Sequence, residues 1–447
     1  MKNFFYKQVS GNSATDSANN NELTFKLKMT QRANIFFIFF LLPFVTFSQQ
    51  TIHDIKGITV TQKSNSDFKE YFEVLVDQPL DHFNSTDKVF KQRVFVGFNN
   101  STAPTVMETE GYAISYSYLP AFMKGCNYIY VEHRYFGKSV PDSLDWTYLT
   151  IKQATSDLHH IRELFGQIFT GKWMTTGISK GGQTAIAYKM FFPNDADATL
   201  AYVTPIKNGF NDKRFSDYLN STSKTECGKK VFSFQQFAFR NKTTLLNEFD
   251  NYILYNKYTF GKMKSEKVFE YLLLEYPFSF YQNCFDCKLI PDTTTTPTEI
   301  VMEIISVVPP KFFSDAFRLK LEPSFYMFYH ELGYYEYDLT PFKQWLSSDN
   351  YSNNIFAPKN ATLNFDTTYL TLLNKFINNQ TTEKLIFVYG EFDPYTSARP
   401  TFDNNKNCLT VIAKNGCHRS RVAGLTAEQQ QIIFKQLSIW LQWKVGT

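Results

Sequence analysis

No stretch of the sequence is rich in lysine and arginine, and 46 basic against 42 acidic residues leave a net charge of only +4. This near balance gives no reason to expect a nucleic-acid partner. The seven histidines form no His-Glu-x-x-His or similar cluster. We therefore expect no metal site and no cofactor.

Long apolar runs are also scarce, and residues 33–47 form the only one. This run is short for a membrane span, Pro43 interrupts it, and Arg32 precedes it. We predict a signal peptide over residues 29–48, preceded by an unstructured upstream extension over residues 1–28. The rest of the chain is then exported, secreted or periplasmic, with no stable membrane association after cleavage. The alternative is a signal anchor that stays in the membrane.

Cysteine is sparse, with six residues in the chain. In an oxidising compartment, an even number of cysteines favours disulfides over metal thiolates. Cys408 and Cys417 can close a short loop, and Cys227 can pair with either Cys284 or Cys287. The sixth cysteine, Cys126, precedes a predicted strand and is expected to be a buried free thiol.

A Gly-x-Ser-x-Gly motif spans residues 177–181, with Ser179 at its centre. Residues 173–176 before it are typical of a strand, and residues 184–192 after it are typical of a helix that Pro193 ends. On such a strand-to-helix turn, this motif is the nucleophile elbow of α/β-hydrolases. The glycines are needed because the turn leaves no space for side chains beside the serine.

Strand patterns alternate with helix patterns through the first half of the chain. The predicted strands there lie at residues 72–76, 92–98, 127–131, 173–176 and 198–203, with an early helix at 151–165, and a strand pattern returns only at 384–390. This alternation predicts an α/β fold, an α/β-hydrolase with a doubly wound, mainly parallel sheet. We divide the chain into a first core segment, 49–210, a helical cap domain, 211–375, and a second core segment, 376–447. The cap is expected to be a large, mostly helical insertion above the elbow.

A serine hydroxyl needs a histidine to take its proton, and the histidine needs an acid to orient it. In this fold the order along the chain is serine, acid, histidine. His418 is the only histidine beyond residue 330. Asp393 follows the predicted strand at 384–390 and is the expected acid, with Glu391 as the alternative. The predicted catalytic residues are therefore Ser179, Asp393 and His418.

The tetrahedral intermediate of acyl transfer needs two N–H donors for its oxyanion. We expect the backbone of Lys180 to supply one, because it follows the nucleophile. The loop after an early strand should supply the other, from Gly111 or Tyr112. The side chain of Lys180 is expected to be solvated.

Two carboxylates, Glu110 and Glu132, follow strands near this site. Either one can bind the α-ammonium group of a peptide substrate, as an exopeptidase acting from the N-terminus requires. The alternative is that both are structural or surface carboxylates.

Further motifs extend along the chain. They are Gln-Pro-Leu-Asp-His at 78–82, Glu-His-Arg-Tyr-Phe-Gly at 132–137, Gly-Ile-Ser-Lys-Gly-Gly-Gln-Thr at 177–184, Asp-Ala-Asp-Ala-Thr at 195–199, Leu-Glu-Tyr-Pro-Phe-Ser-Phe-Tyr-Gln at 274–282 and Tyr-Gly-Glu-Phe-Asp-Pro at 389–394. Together they resemble the secreted prolyl/tripeptidyl aminopeptidase family of bacterial serine peptidases, from about residue 60 to the C-terminus. A more distant similarity is to lysosomal prolyl carboxypeptidase and dipeptidyl peptidase II.

The resemblance implies an exported serine exopeptidase that removes short peptides from N-termini, often with proline near the cut. The family's triad falls on Ser179, Asp393 and His418. Two positions depart from the family pattern: Tyr395 stands where tryptophan is more usual, and Cys417 beside His418 is uncommon. Pocket shape and specificity are the properties that these departures affect.

The leading hypothesis is therefore a serine exopeptidase that releases di- or tripeptides, with peptides as its substrates. A carboxylesterase or lipase with the same triad is the alternative, because the fold does not define the scissile bond. A non-catalytic binding protein on a hydrolase scaffold is a third possibility, although no triad member is missing from the sequence.

Overall fold

The computed structural model describes residues 51–84, 88–115, 119–261, 263–292, 294–378, 382–402 and 406–446. These residues belong to one structural unit, Gln50–Thr447. The predicted upstream extension, 1–28, and the predicted signal peptide, 29–48, lie outside the described residues. Within the described ranges, no helix combines the length and apolar character that crossing a bilayer needs.

One sheet runs through the described part of the chain. Its strands are β1 Ile58–Lys63, β2 Glu70–Pro79, β3 Val89–Phe98, β4 Thr105–Thr109, β5 Asn127–Val131, β6 Trp173–Ile178, β7 Ala198–Tyr202, β8 Leu385–Gly390 and β9 Cys408–Ala413. They lie side by side in the order β1-β2-β3-β5-β4-β6-β7-β8-β9. The pairs up to β3–β5 are antiparallel, and every later pair is parallel. The predicted mainly parallel sheet is confirmed.

Helices cover both faces of this sheet and fill the long connection between β7 and β8. They are α1 Ile151–Phe165, α2 Lys180–Phe191, α3 Arg214–Thr222, α4 Glu226–Arg240, α5 Lys242–Tyr255, α6 Ser265–Gln282, α7 Pro297–Val307, α8 Asp315–Met327, α9 Thr368–Asn378 and α10 Ala427–Leu441. Every residue of β4, β5, β7 and β8 is buried. Continuous burial is the rule for parallel strands because helices cover both faces of the sheet.

Strand β7 shows how its side chains are divided between the two faces. Leu200 and Tyr202 join the apolar cluster that contains Leu437 of α10. Ala201, between them, joins the opposite cluster with Ile186 of α2 and Leu373 of α9. This alternation follows from the two-residue period of a strand.

The helical insertion predicted at residues 211–375 has a hydrophobic core of its own around α6. Helix α6 is buried along most of its length, and α4, α5 and α7 pack against it. Helix α9 crosses the predicted boundary at 375, and its Leu370 and Leu373 pack with Phe387 of β8. The large, mostly helical insertion of the predicted fold is therefore observed, and its last helix rests on the core sheet.

The helix after the elbow begins at Lys180, not at residue 184 as the sequence pattern predicts. The reason for the wrong prediction is the pair Gly181 and Gly182, since glycine disfavours helix interiors. In the structure these glycines form the first turn of α2, where the helix approaches the sheet too closely for a side chain.

The cysteines pair only in part as predicted. Cys227 of α4 forms a disulfide with Cys287, and their Cα atoms are 5.6 Å apart. The possible bond between Cys408 and Cys417 does not form, because both are free. Cys408 is the first residue of β9 and Cys417 follows the end of this strand, and an extended segment of that length holds its two ends much farther apart than the roughly 7 Å limit for a disulfide. The sixth cysteine, Cys126, is a buried free thiol as predicted.

Replacing Cys227 and Cys287 with serine should lower the free energy of unfolding by about 2–5 kcal/mol, because the bond closes a loop with a sequence separation of 60 residues. Thermal unfolding with and without dithiothreitol measures the effect. Reductant should lower the melting temperature of the wild type and leave that of the double variant unchanged. Six reactive thiols in the non-reduced, denatured wild type would contradict the assignment.

Candidate active site

Ser179 occupies a strained turn between β6 and α2. Its φ of 55° and ψ of −118° lie where side-chain-bearing residues are rarely found. An added Cβ at Gly177 would lie 2.4 Å from the carbonyl oxygen of Gly181. At Gly181, it would lie 2.4 Å from the carbonyl oxygen of Thr109. The backbone is therefore closely packed on both sides of Ser179, which holds the serine at the carboxyl end of β6.

Asp393 and His418 follow β8 and β9. The Nδ1 of His418 lies 2.7 Å from Oδ2 of Asp393, which is fully buried. Glu391, the alternative acid, accepts a hydrogen bond from the backbone N–H of Asn415 at 2.8 Å instead. The structure therefore brings Asp393, and not Glu391, to the imidazole.

Ser179 and His418 line the same cavity, which has a volume of about 340 Å³. Glu110 and Tyr112 line it as well. A second cavity of about 810 Å³ begins at His418 and extends along the helical insertion. Tyr395, Gln282 and His418 line both cavities, so the imidazole stands where the two meet.

The side chain of Lys180 is buried, which contradicts the expectation that it is solvated. Its Nζ donates a hydrogen bond of 2.7 Å to the carbonyl oxygen of Gly111 and lies over the rings of Tyr112 and Phe136. Burial lowers the pKa of this amine to about 7, although the charges of Glu331 and Glu110 favour its protonated form. The sequence missed this role because a lysine after the serine gives no signal of burial.

The loop from Glu110 to Tyr112 packs directly on the start of α2. An added Cβ at Gly111 would lie 2.6 Å from Cβ of Lys180 and 2.7 Å from the backbone nitrogen of Gly181. The N–H of Gly111 donates to the Glu110 carboxylate at 3.1 Å. The hydroxyl of Tyr130 also donates to that carboxylate, and burial raises the pKa of Glu110.

Glu132 lies in a different environment. It is fully buried, and its carboxylate accepts hydrogen bonds from Ile114 N at 2.9 Å, Lys138 N at 2.7 Å and Ser139 Oγ at 2.9 Å. The cavity at Ser179 is lined by Glu110 and not by Glu132. Glu132 therefore holds the loop after β5 in place.

The insertion contacts both loops that carry Asp393 and His418. The carbonyl of Gln282, at the end of α6, accepts a 2.9 Å hydrogen bond from the N–H of His418. The hydroxyl of Tyr218 in α3 donates to the carbonyl of Phe392 at 2.8 Å. Sequence reasoning missed these residues, since nothing in the local pattern shows which part of the insertion reaches the histidine. In the described ranges, no group of three or more histidine, cysteine, aspartate or glutamate residues is arranged to hold a metal ion.

The strand order, with a serine in a left-handed turn between β6 and α2, defines the chain as an α/β-hydrolase. Comparison with protein families gives a more specific assignment. The chain belongs to the PS-10 peptidase S37 family, whose model matches residues 46–444. It is a serine-type peptidase.

A relative with an assigned activity is the prolyl tri/tetrapeptidyl aminopeptidase of Streptomyces mobaraensis. The two sequences are 26% identical over 415 residues, which cover 89% of this chain and 86% of the relative.

Among solved structures, proline iminopeptidase from Mycobacterium smegmatis superposes with a TM-score of 0.40 at 10% identity, covering 82% of this chain and 99% of that one. A proline iminopeptidase-related protein from Thermus thermophilus superposes with a TM-score of 0.34 at 13% identity, covering 83% of this chain and 98% of that one.

Replacing Gly111 with alanine should displace the loop, because its new Cβ would collide with the backbone of Gly181. We expect turnover to fall by roughly 10²-fold or more, which is the usual cost of losing one preorganised oxyanion donor. Initial rates on a peptide amide measure this loss. Gly209→Ala is the matched control, because nothing lies within 4 Å of its added Cβ. Equal turnover in the two variants would contradict a role for the loop.

Proposed function

We propose that this protein is an exported serine exopeptidase that releases di- or tripeptides from peptide N-termini, with a preference related to proline. The observation that carries the proposal is the 2.7 Å contact between His418 and Asp393 beside the cavity that contains Ser179. The name of the Streptomyces relative, prolyl tri/tetrapeptidyl aminopeptidase, supports peptides as the class of substrate. Export follows from the predicted signal peptide at 29–48.

In the proposed mechanism, Ser179 attacks the scissile carbonyl and His418 takes the hydroxyl proton. The buried carboxylate of Asp393 accepts a hydrogen bond from Nδ1 of His418, which orients the ring and stabilises the imidazolium. His418 then gives the proton to the leaving amine, and the acyl-enzyme forms. Water activated by the same histidine releases the short peptide as a free acid.

In this proposal the oxyanion donors are the backbone N–H of Lys180 and that of Gly111 or Tyr112. Lys180 starts α2, so its N–H has no partner within the helix. The carbonyl of Gly111 is held by Nζ of Lys180, and the C=O and N–H of one trans peptide point in opposite directions. The N–H of Tyr112 is therefore turned away from Nζ of Lys180, toward the Glu110 carboxylate. The N–H of Gly111 donates to the same carboxylate at 3.1 Å, so Gly111 and Tyr112 both stay candidates for the second donor.

The helical insertion supports cleavage that is restricted to positions near the end of a peptide substrate. It contacts the loops of both Asp393 and His418, and its residues form most of the walls of the larger cavity. These walls, which begin at His418, limit how much peptide can extend from the scissile bond on that side. Glu110 stays a candidate for binding the substrate amine, whereas the contacts of Glu132 favour its structural role.

Asp393→Asn should lower kcat by about 10³- to 10⁴-fold, because an asparagine at this position favours the wrong imidazole tautomer. Glu391→Gln is the matched control, since Glu391 contacts Asn415 and not His418. We expect its kcat to stay within a few-fold of the wild type. Steady-state rates on one peptide amide compare the two variants. A large loss in Glu391→Gln with a small one in Asp393→Asn would reverse the assignment of the acid.

A fluorophosphonate probe should label the wild type and leave Ser179→Ala unlabelled, while Ser66→Ala, an exposed serine remote in sequence, is labelled normally. Rates on a tripeptidyl-Pro amide and on short p-nitrophenyl esters then separate peptidase from esterase. We expect efficient cleavage of the amide. Ester hydrolysis without amide hydrolysis would favour the carboxylesterase alternative, and an unlabelled wild type would favour a binding protein.

A further inference from the structure

The larger cavity has one acidic group in its interior wall. Glu275 of α6 lines it together with Tyr334, Tyr335 and Tyr337. The other acid in the lining is Asp286, which is exposed and accepts the N–H of Lys288 at 2.9 Å. Glu275 is therefore the carboxylate that a ligand inside this cavity meets.

Three hydroxyl groups hold the Glu275 carboxylate. Ser279 donates to Oε1 at 3.0 Å, Tyr337 donates to Oε2 at 2.9 Å, and Tyr335 lies 3.0 Å from both oxygens. An ionised carboxylate has about four acceptor sites, and these three hydroxyl protons occupy three of them. One site is therefore left for another donor. Burial raises the pKa of Glu275 to about 7, and the three hydroxyl donors oppose that rise.

A wall of aromatic rings connects Glu275 with the histidine. The ring of Tyr395 lies 5.2 Å from the imidazole of His418 and 5.3 Å from the ring of Phe278. Phe278 lies behind the lining of the cavity and stacks on Tyr335 at 4.2 Å. Tyr335 lines the cavity, stacks on Tyr334 at 4.5 Å and donates to Glu275. An extended peptide advances about 3.3–3.6 Å per residue, so a few residues span this wall.

Glu110 is less suited to bind a cation. Its carboxylate faces the N–H groups of Gly111 and Tyr112, which are the loop's candidates for the oxyanion donor. A negative charge there would oppose the negative charge of the transition state. Glu275 lies in the other cavity, away from those donors.

We propose that Glu275 binds the α-ammonium group of the substrate, so that the residues between the N-terminus and the scissile bond lie along the wall formed by Tyr395, Tyr334 and Tyr335. This proposal rests on the proposed exopeptidase function. It identifies the group whose distance from the nucleophile sets the length of the released peptide. The ligand class is a peptide with an unblocked, protonated N-terminus.

The test compares a tripeptidyl-Pro chromogenic amide with its N-acetylated form in the wild type and in Glu275→Gln. The wild type should prefer the free amine. In Glu275→Gln we expect kcat/KM for the free-amine substrate to fall about 10- to 100-fold, mainly through KM, because a charge-assisted hydrogen bond is lost. The rate on the acetylated substrate should not change. Glu275→Asp, which keeps the charge, should recover part of the loss.

Glu303→Gln is the matched control. Glu303 is a half-buried carboxylate of the same insertion that accepts a tyrosine hydroxyl, from Tyr276 at 2.8 Å, but it does not line the cavity. It should keep the wild-type preference. The labelling rate with a small fluorophosphonate, which carries no amine, shows whether Glu275→Gln retains an intact site.

Two results overturn the proposal while leaving the proposed function in place. One is a labelled, active Glu275→Gln enzyme with the wild-type preference for free amines. The other is loss of that preference in Glu110→Gln alone, which assigns the amine to Glu110. A wild type that is labelled but cleaves no peptide amide refutes the exopeptidase function itself, and the inference with it.

Discussion

The close approach of helix α2 to the sheet at Ser179 is the constraint on which the site depends. An added Cβ at Gly177, Gly181 or Gly182 would collide with neighbouring atoms, and Ser179 itself has a positive φ. Such a turn persists only when the surrounding structure holds it. Because β6 lies between β4 and β7, the loop after β4 meets the start of α2 directly. The serine, the loop after β4 and the sheet are therefore closely packed in one arrangement.

The helical insertion is part of the same arrangement. Gln282 binds the backbone of His418, and Tyr218 binds the backbone of Phe392 next to Asp393. The insertion thus contacts the loops that carry the acid and the histidine while it forms the larger cavity. A change in its packing is expected to affect the position of the imidazole as well as the shape of the cavity.

Buried charge at this site has a structural use. Burial lowers the pKa of Lys180, and its Nζ donates a hydrogen bond that holds the carbonyl of Gly111 in place. Burying a charged group is unfavourable unless it is hydrogen-bonded and partnered. Here the partners are the Gly111 carbonyl, two aromatic rings and the nearby charges of Glu110 and Glu331. A surface lysine could not orient that peptide in the same way.

The sequence by itself determined much of the fold, because burial leaves a periodic pattern in each local segment. Strand β5 and helix α1 are predicted to the residue, and the order of Ser179, Asp393 and His418 along the chain names the candidate residues. Only the tertiary structure decided which residues meet. It brought Asp393 rather than Glu391 to His418, joined Cys227 to Cys287, buried Lys180 and set Glu275 in a cavity beside the histidine. These contacts join residues far apart in the chain, so their distances follow from the packing of whole elements and leave no mark in the local pattern.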